Sequence, residues 1–339
     1  MHNKLFEQVE QGLTELRLGH APSIGTFSYR NINKEFSDGH LIMLGMNERY
    51  ELSLWIGSKD IVKTPRVIWE TRGIKATQSQ DQSNRTDSWI VIETSSLNTG
   101  NISPSIFVSL ASSICSKCIE TKSTQSDIVR NALDEWREIF LGNPEGLGIN
   151  ELAGLIGELI TLEEIAAVHG ANALETWHGF EGERHDFSRN NYAIETKTKN
   201  SIGLDVSING ISQLEPPENG KLLLRFLRLE NAAINESNIS IPYLVKSICQ
   251  HGVSQGKLIE NILKAKASIQ QVSQITHCFK LIETSSYEVT DNFPRITPAS
   301  FKNNQCPYGV AGIKYKINLG NAEPYKLENS SFLEFVKNI

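Results

Sequence analysis

Residues 192–199 read Tyr-Ala-Ile-Glu-Thr-Lys-Thr-Lys, which is the alternating pattern of a β-strand. Successive side chains of a strand point to opposite faces of its sheet, so Glu195 and Lys197 share one face while Ile194 and Thr196 share the other. A carboxylate and an ammonium group therefore lie side by side. The interpretation of the second half of the chain starts from this pair.

The residues upstream supply a second acid. Asp186 stands just before Ser-Arg-Asn-Asn at 188–191, a run rich in turn-forming residues. A tight turn there places Asp186 and Glu195 on paired strands of one hairpin. Two carboxylates about 4 Å apart repel by about 4 kcal/mol at an effective dielectric of about 20 unless one is protonated or a cation bridges them. Mg²⁺ or Mn²⁺ suits that position, because hard divalent ions prefer oxygen ligands.

A long helical pattern that begins near residue 150 supplies a third acid. Glu158 has leucines three residues before it and four residues after it, so it lies on a partly apolar strip and needs a buried partner. Gly154 and Gly157 each cost the helix about 1 kcal/mol relative to alanine. We therefore expect another element to approach the helix closely at both glycines.

Together these residues resemble the PD-(D/E)XK (restriction-endonuclease-like) nuclease superfamily. They are most similar to a bacterial group of PD-(D/E)XK proteins associated with restriction and phage-defence genes. The resemblance covers about residues 148–229. It also includes Gly-Leu-Ile-Gly-Glu-Leu at 154–159, Trp177, His-Asp-Phe at 185–187 and Ser-Gln-Leu at 212–214.

The resemblance implies an α/β fold (α+β overall). Its restriction-endonuclease-like core comprises a helix, three strands, a helix and a strand, preceded by a mixed α+β N-terminal domain. It also implies that Asp186, Glu195 and the Thr196 backbone carbonyl bind Mg²⁺ (or Mn²⁺), that Lys197 is the catalytic lysine, and that Glu158 is a further catalytic acid. His185 stands where the motif that gives the superfamily its name has proline.

Basic and amide side chains near this motif are candidates for phosphate contacts. Gln213 matches a helical glutamine of some subgroups, although Pro217 stands where they have tyrosine. The candidates are Arg184, Arg189, Lys199, Arg225, Arg228 and, by resemblance, Gln213.

The implied function is metal-dependent DNA endonuclease activity in a restriction or phage-defence system. The expected partners are DNA, other proteins of the same operon such as an ATPase or methyltransferase, and a second copy of the chain, since cutting both strands is easiest for a dimer. An inactive nuclease-like nucleic-acid-binding or scaffold subunit is the first alternative. A second copy of Ile-Glu-Thr-Lys, at 119–122, lacks a preceding acid and is expected to be an exposed helix end.

A serine hydrolase that uses Ser254 is the second alternative. The run Gly-Val-Ser-Gln-Gly at 252–256 matches the nucleophile elbow of such enzymes. An elbow requires a strand before the serine, whereas residues 241–250 have the pattern of a helix. The simpler interpretation of this run is the start of a helix.

The whole chain has an ordinary globular composition. Its 339 residues include 33 basic and 39 acidic ones, a net charge of −6 that does not favour nucleic acid as a ligand. The sequence has no apolar stretch of about 18 residues and no secretory signal pattern, and five cysteines fit a reducing compartment. These features predict a cytoplasmic protein.

Leu-Gly-Asn-Pro-Glu-Gly at 141–146 predicts a boundary between an N-terminal α+β positioning or recognition domain, residues 1–143, and a nuclease domain, residues 148–339. We expect the three tryptophans at 55, 69 and 89 to lie in the N-terminal core. The elements predicted before the boundary are helices at 4–18, 104–120 and 125–141, strands at 40–46, 49–57, 65–71 and 88–95, and a loop at 77–87. Those predicted after it are strands at 184–187, 192–199, 204–208, 221–229, 279–289 and 309–317 and helices at 150–169, 240–251 and 256–268.

Overall fold

The structure is a computed structural model. It describes residues 2–19, 22–32, 41–71, 73–82, 86–94, 104–120, 123–141 and 145–339. Within these ranges, every helix is either too short or too polar to cross a membrane.

Runs of helices and runs of strands follow one another along the chain. The helices are α1 (His2–Leu18), α2 (Pro104–Glu120), α3 (Gln125–Leu141), α4 (Ile149–His169), α5 (Ile241–Gln250), α6 (Gln255–Lys264), α7 (Ile269–Ser273) and α8 (Asn329–Val336). The first strands are β1 (Phe27–Asn31), β2 (Ile42–Asn47), β3 (Leu52–Ser58), β4 (Arg66–Thr71), β5 (Ile74–Gln80) and β6 (Ser88–Thr94). The later strands are β7 (Phe187–Arg189), β8 (Tyr192–Lys199), β9 (Asp205–Asn209), β10 (Lys221–Ala232), β11 (Cys278–Glu288), β12 (Lys314–Asn318) and β13 (Lys326–Leu327).

The chain divides into two compact units. One comprises Met1–Pro144 with Ser254–Glu260, and the other comprises Glu145–Val253 with Asn261–Ile339. The predicted boundary run falls partly on residues 142–144, which lie outside the described residues. The second copy of Ile-Glu-Thr-Lys also ends on residues outside them, 121–122.

The first unit contains a six-stranded antiparallel sheet in the order β1-β2-β3-β6-β5-β4. One face is aliphatic, and α1 packs on it: a Cβ added at Gly12 would lie 3.2 Å from the Leu44 side chain. This face includes the almost fully buried Ile42, Leu44, Leu54, Ile56, Ile90 and Ile92.

The predicted loop at 77–87 was wrong for its first four residues, which belong to β5. Gln78 is fully buried there; its Nε2 donates to the Ser88 hydroxyl, while its Oε1 accepts from the Arg66 guanidinium and the Ser126 hydroxyl. Polar residues can thus form an interior strand because side-chain partners satisfy them, which a hydrophobic pattern does not reveal.

The second unit contains a five-stranded sheet in the order β13-β11-β10-β8-β7. Strand β8 pairs with β7 in antiparallel fashion and with β10 in parallel fashion, and β11 returns antiparallel to β10. The order α4, β7, β8, β10, α5, β11 reproduces the expected helix, three strands, helix and strand. The predicted strand at 204–208 does not join this sheet, because β9 pairs with β12 in a separate two-stranded sheet.

The buried helix α4 contacts the sheet very closely at one glycine. A Cβ added at Gly157 would lie 1.8 Å from the Thr198 hydroxyl oxygen and 3.1 Å from its Cβ. The expectation of close approach is therefore confirmed at Gly157. It was wrong at Gly154, where an added Cβ would meet nothing within 4 Å.

A buried cation links four elements of this unit. Arg225, on β10, donates to Glu164 of α4 at 2.5 Å and to the Ser286 hydroxyl of β11 at 2.8 Å. Its guanidinium also lies 4.0 Å from the centre of the Phe332 ring on α8. Only 2% of Arg225 is exposed, so its proposed phosphate contact was wrong and its role is to hold α4 against the sheet.

The two glycines of α4 provide a matched test of this packing. Gly157→Ala is expected to lower the free energy of unfolding by about 1–3 kcal/mol, because the new methyl overpacks the contact with Thr198. Gly154→Ala is expected to raise it by about 0.5–1 kcal/mol, because alanine favours the helix and nothing obstructs it. Urea denaturation followed by circular dichroism measures both. Equal effects of the two substitutions would contradict the close contact.

Candidate active site

A tight hairpin brings the predicted acids together. Strand β7 pairs with β8 so that Phe187 lies opposite Ile194, and Asn190 and Asn191 form the turn with positive φ angles of 50° and 63°. Such angles are those of a type I′ turn, which asparagine tolerates. The sequence prediction of a hairpin here is confirmed. Asp186 precedes β7 at the open end of this hairpin.

Asp186 is held by backbone groups on two sides. Its Oδ2 accepts a hydrogen bond of 2.7 Å from the Thr196 N–H of β8. Its own carbonyl accepts from the N–H groups of His178 and Gly179 at 2.8 and 3.1 Å. These contacts fix the Asp186 carboxylate beside β8 and join it to the turn at 178–179.

Glu195 and Lys197 form a buried ion pair, as the strand alternation predicted. The Lys197 ammonium donates to Glu195 Oε1 at 2.6 Å, and only 1% of the Glu195 side chain and 15% of the Lys197 side chain are exposed. The other carboxylate oxygen of Glu195 is buried and has no hydrogen-bond partner among the described residues. This oxygen has a lone pair available for a further ligand.

Glu158 reaches the same place from α4. Its Oε2 accepts a hydrogen bond of 2.8 Å from the Trp177 indole N–H. A Cβ added at Gly179 would lie 2.5 Å from that oxygen and 3.1 Å from Asp186 Oδ1. Both carboxylates therefore border the space above Gly179, and a side chain at that position would occupy it.

Burial shifts the three carboxyl groups toward their neutral forms, and repulsion between carboxylates adds to the shift of Glu158 and Glu195. Burial, reinforced by the charge of Asp186, raises the pKa of Glu158 to about 8 against the opposing effects of Trp177 and Lys197. Burial likewise raises the pKa of Glu195 well above its usual range, and Asp186 and Glu158 add to the effect while Lys197 opposes it. Burial also raises the pKa of Asp186, opposed by Lys197 and the Thr196 N–H.

The donor set fits a hard divalent cation. Three buried carboxylates share one ammonium group, and one of their oxygens lacks a hydrogen-bond partner among the described residues. A cation stabilises the ionised form of each carboxylate, and oxygen donors of this kind suit Mg²⁺ or Mn²⁺. Asp186 and Glu195 are the carboxylates that could bind it, and this role, like that of the Thr196 carbonyl, stays a prediction.

A second group of possible ligand atoms lies at the neighbouring turn. His178, Glu181 and Glu183 have ligand atoms within 4.8 Å of one another, and the two glutamates are exposed. His178 Nδ1 lies 3.3 Å from Glu181 Oε2. This is an ordinary surface ion pair whenever the histidine is protonated.

Three contributors were missed as site residues by sequence reasoning. Trp177 was noted only as part of the resemblance, and it orients Glu158. Gly179 allows the two carboxylates to approach its backbone closely. The third is Tyr315, on β12, which is close enough to Lys197 to interact with its charge: burial raises the pKa of Tyr315, against the Ile296 backbone and the positive charges of Arg295 and Lys197. No local spacing could have revealed Tyr315, because it lies more than a hundred residues beyond Lys197.

Most candidate phosphate contacts have local partners. Arg184 lies 3.4 Å from Glu215, the Lys199 ammonium donates to the Asp205 carbonyl, and Gln213 accepts from the Asn209 N–H. Gln213 thus closes a turn after β9. Among these candidates, Arg189 forms no ion pair with a described residue, and its role stays a prediction.

His185, at the motif's proline position, is buried. Desolvation and the charge of Arg184 lower the pKa of His185 to about 4, against a hydrogen bond at Glu215, so its ring is neutral near pH 7. The neutral ring adds no charge beside Asp186.

Ser254 does not lie on a nucleophile elbow. Helix α5 ends at Gln250, Gly252 makes a turn with φ of 88°, and α6 begins at Gln255. A helix therefore precedes Ser254 where a nucleophile elbow requires a strand, as the pattern of residues 241–250 predicted. His277 interacts with the adjacent Thr276 hydroxyl at 3.2 Å.

The comparisons with known proteins agree with this geometry. No curated protein and no solved structure gave a significant match. A family model described as "Putative PD-(D/E)XK family member" matches residues 9–320, which is most of the chain and includes every acid of the site. The chain therefore belongs to this family of PD-(D/E)XK proteins, as its motif predicted.

Proposed function

We propose that this protein is a metal-dependent DNA endonuclease that hydrolyses phosphodiester bonds. The observation that carries the proposal is the convergence of Asp186, Glu195, Glu158 and Lys197, with one buried Glu195 oxygen lacking a hydrogen-bond partner among the described residues. Mg²⁺ or Mn²⁺ would be the cofactor. Such an ion would supply positive charge for the phosphate and make water a better nucleophile at neutral pH.

Each residue has a role that follows from its contacts. Asp186 and Glu195 would hold the ion, with the Thr196 carbonyl as a further ligand. Lys197 is already oriented by Glu195, so its ammonium can position the attacking water and stabilise the charge that develops on the phosphate oxygens. Glu158, held by Trp177, would accept hydrogen bonds from water beside the ion.

DNA is proposed as the substrate because of the family and the motif, since the net charge of −6 gives no general attraction to phosphates. Arg189, and Arg184 or Lys199 after release of their local partners, are the candidate phosphate contacts. A role in restriction or phage defence is part of the proposal, with an ATPase or methyltransferase as partner proteins. A homodimer would present two sites to the two strands.

Metal binding is expected to raise the melting temperature of the purified protein. An ion that binds only the folded state adds about 2.7 kcal/mol of stability at a hundredfold excess over its Kd. Asp186→Asn and Glu195→Gln should each abolish the shift, measured by scanning fluorimetry in Mn²⁺ against EDTA. Glu181→Gln is the control, because it removes an acid of the exposed group at 178–183. If Glu181→Gln abolished the shift and Asp186→Asn kept it, the ion would bind at the exposed group at 178–183 and not at Asp186 and Glu195, which would contradict the proposal.

Metal-dependent cleavage is expected to require Lys197. Lys197→Ala should lower the rate of plasmid nicking by about 10²–10³, the usual cost of removing a group that stabilises transition-state charge. It should retain the Mn²⁺-induced rise in melting temperature. Lys221→Ala, which removes an exposed lysine from the adjacent strand β10, should cleave like the parent. A parent protein that cleaves no plasmid, linear or single-stranded DNA in Mg²⁺ or Mn²⁺ would favour the scaffold alternative.

A further inference from the structure

The second face of the six-stranded sheet carries an unusual set of side chains. Strand register places Trp55 opposite Met43 and Val91, and Tyr29 opposite Gly45, all on the face away from the aliphatic core. An antiparallel sheet with one solvated face normally shows polar side chains there. Among the described residues, this face carries large rings instead, and Trp55 and Tyr29 are only partly buried there. The sequence-based expectation that Trp55 lies in the core was wrong, since its ring is only partly buried on this open face.

The aromatic rings on this face pack around Trp55. Tyr29 stands edge-on to Trp55, with ring centres 5.2 Å apart and an interplanar angle of 89°. Trp89 also stands edge-on to Trp55, at 6.1 Å and 71°. Tyr29 is 38% exposed, whereas Trp89 is only 6% exposed and is the buried member of this cluster.

The orientation of Trp55 is fixed by its neighbours. Its indole N–H donates to the Ser53 hydroxyl at 2.8 Å. A Cβ added at Gly45 would lie 3.0 Å from the Trp55 indole nitrogen and 2.5 Å from the Ser53 hydroxyl oxygen, so the ring lies across a residue that must have no side chain. A rigid aromatic surface of this kind binds a flat ligand with little loss of side-chain entropy.

The cluster borders an open cleft of about 760 Å³, within the range of roughly 300–1,000 Å³ typical of small-ligand sites. Polar groups surround the rings: Ser79 lies opposite Trp89 on the same face, Gln82 is exposed, and Lys63 is exposed and forms no ion pair with a described residue. The Asp81 carboxylate in the cleft accepts a hydrogen bond from the Thr86 N–H.

We propose that this cleft binds an unpaired nucleobase of DNA, from a single strand or flipped out of a duplex. The base would stack on the Trp55 face, the Ser79 hydroxyl and the Gln82 amide would hydrogen-bond its edge, and Lys63 would contact the adjoining phosphate. Aromatic side chains on an open sheet are a common platform for unpaired bases. The first unit would then be the part of the protein that selects where on DNA the nuclease acts.

A methylated ammonium group is the other ligand that aromatic rings attract, through cation–π contacts. It is disfavoured here because Lys63 offsets the negative charge of Asp81 in the cleft, and because the cleft is open and larger than such a group needs. The preference for DNA over other sources of flat bases rests on the proposed function.

The test measures binding without cleavage. The full-length protein carrying Lys197→Ala is titrated in EDTA against a fluorescein-labelled single-stranded oligonucleotide and against the same sequence as a duplex, and anisotropy gives the Kd. Single strands should bind more tightly than the duplex. Adding Trp55→Ala should weaken single-strand binding by about tenfold or more. Trp55→Phe should restore most of the affinity, because the ring remains.

Two further variants distinguish a specific loss of binding from a loss caused by misfolding. Lys63→Gln changes only an exposed side chain and should reduce the slope of log affinity against log salt by about 0.7, the value for one phosphate contact on a single strand. Tyr308→Ala removes a fully exposed ring from the second unit and should bind like the parent. Melting temperatures confirm that each variant is folded.

Three results would overturn the proposal: a folded Trp55→Ala protein that binds single strands like the parent, equal affinity for single strands and duplex, or Trp55-dependent binding of a trimethyllysine peptide with no binding of DNA. Failure of the nuclease proposal gives a different result. A parent protein that never cleaves DNA but binds single strands through Trp55 would keep the base-binding cleft and lose only the catalytic assignment.

Discussion

Confinement of like charges in a buried space is the constraint on which the second unit depends. Three carboxylates, from Glu158, Asp186 and Glu195, face one ammonium group, so the fully ionised cluster carries a net charge of −2. Each like-charged pair at about 4 Å costs about 4 kcal/mol at an effective dielectric of about 20. The fold tolerates this cost because the Thr196 N–H, Trp177 and Lys197 oppose it. Active sites commonly concentrate such unfavourable arrangements.

The sequence was sufficient to predict the local part of the site. Alternation along β8 placed Glu195 beside Lys197, and turn-forming residues placed Asp186 across the hairpin, because both depend on contacts within about a dozen residues. The apolar strip around Glu158 correctly indicated a buried acid. Its partner Trp177 could not be derived in the same way, because a hydrogen bond across 19 residues depends on how α4 meets the following turn.

The errors have physical causes of the same kind. Gln78 belongs to a polar run, yet it forms an interior strand through side-chain hydrogen bonds. Arg225 has the charge of a phosphate contact, yet Glu164, Ser286 and Phe332 bury it in the sheet. In both positions side-chain partners on other helices and strands reverse the preference that the residue type alone suggests. Trp55 is the opposite kind of error. Its apolar side chain was expected in the core, but it lies on a sheet face that the described residues leave partly open.

The contact between Gly157 and Thr198 ties two distant positions of the chain to one another. Helix and strand meet there with no room for another methyl group, so any enlargement at 157 needs a reduction at 198. Among relatives that keep this fold, the two positions should therefore vary together. Glycine at 157 permits a side chain such as threonine at 198, whereas a larger residue at 157 requires a smaller one at 198. Position 154, one turn earlier on the same helix, is free of that evolutionary coupling.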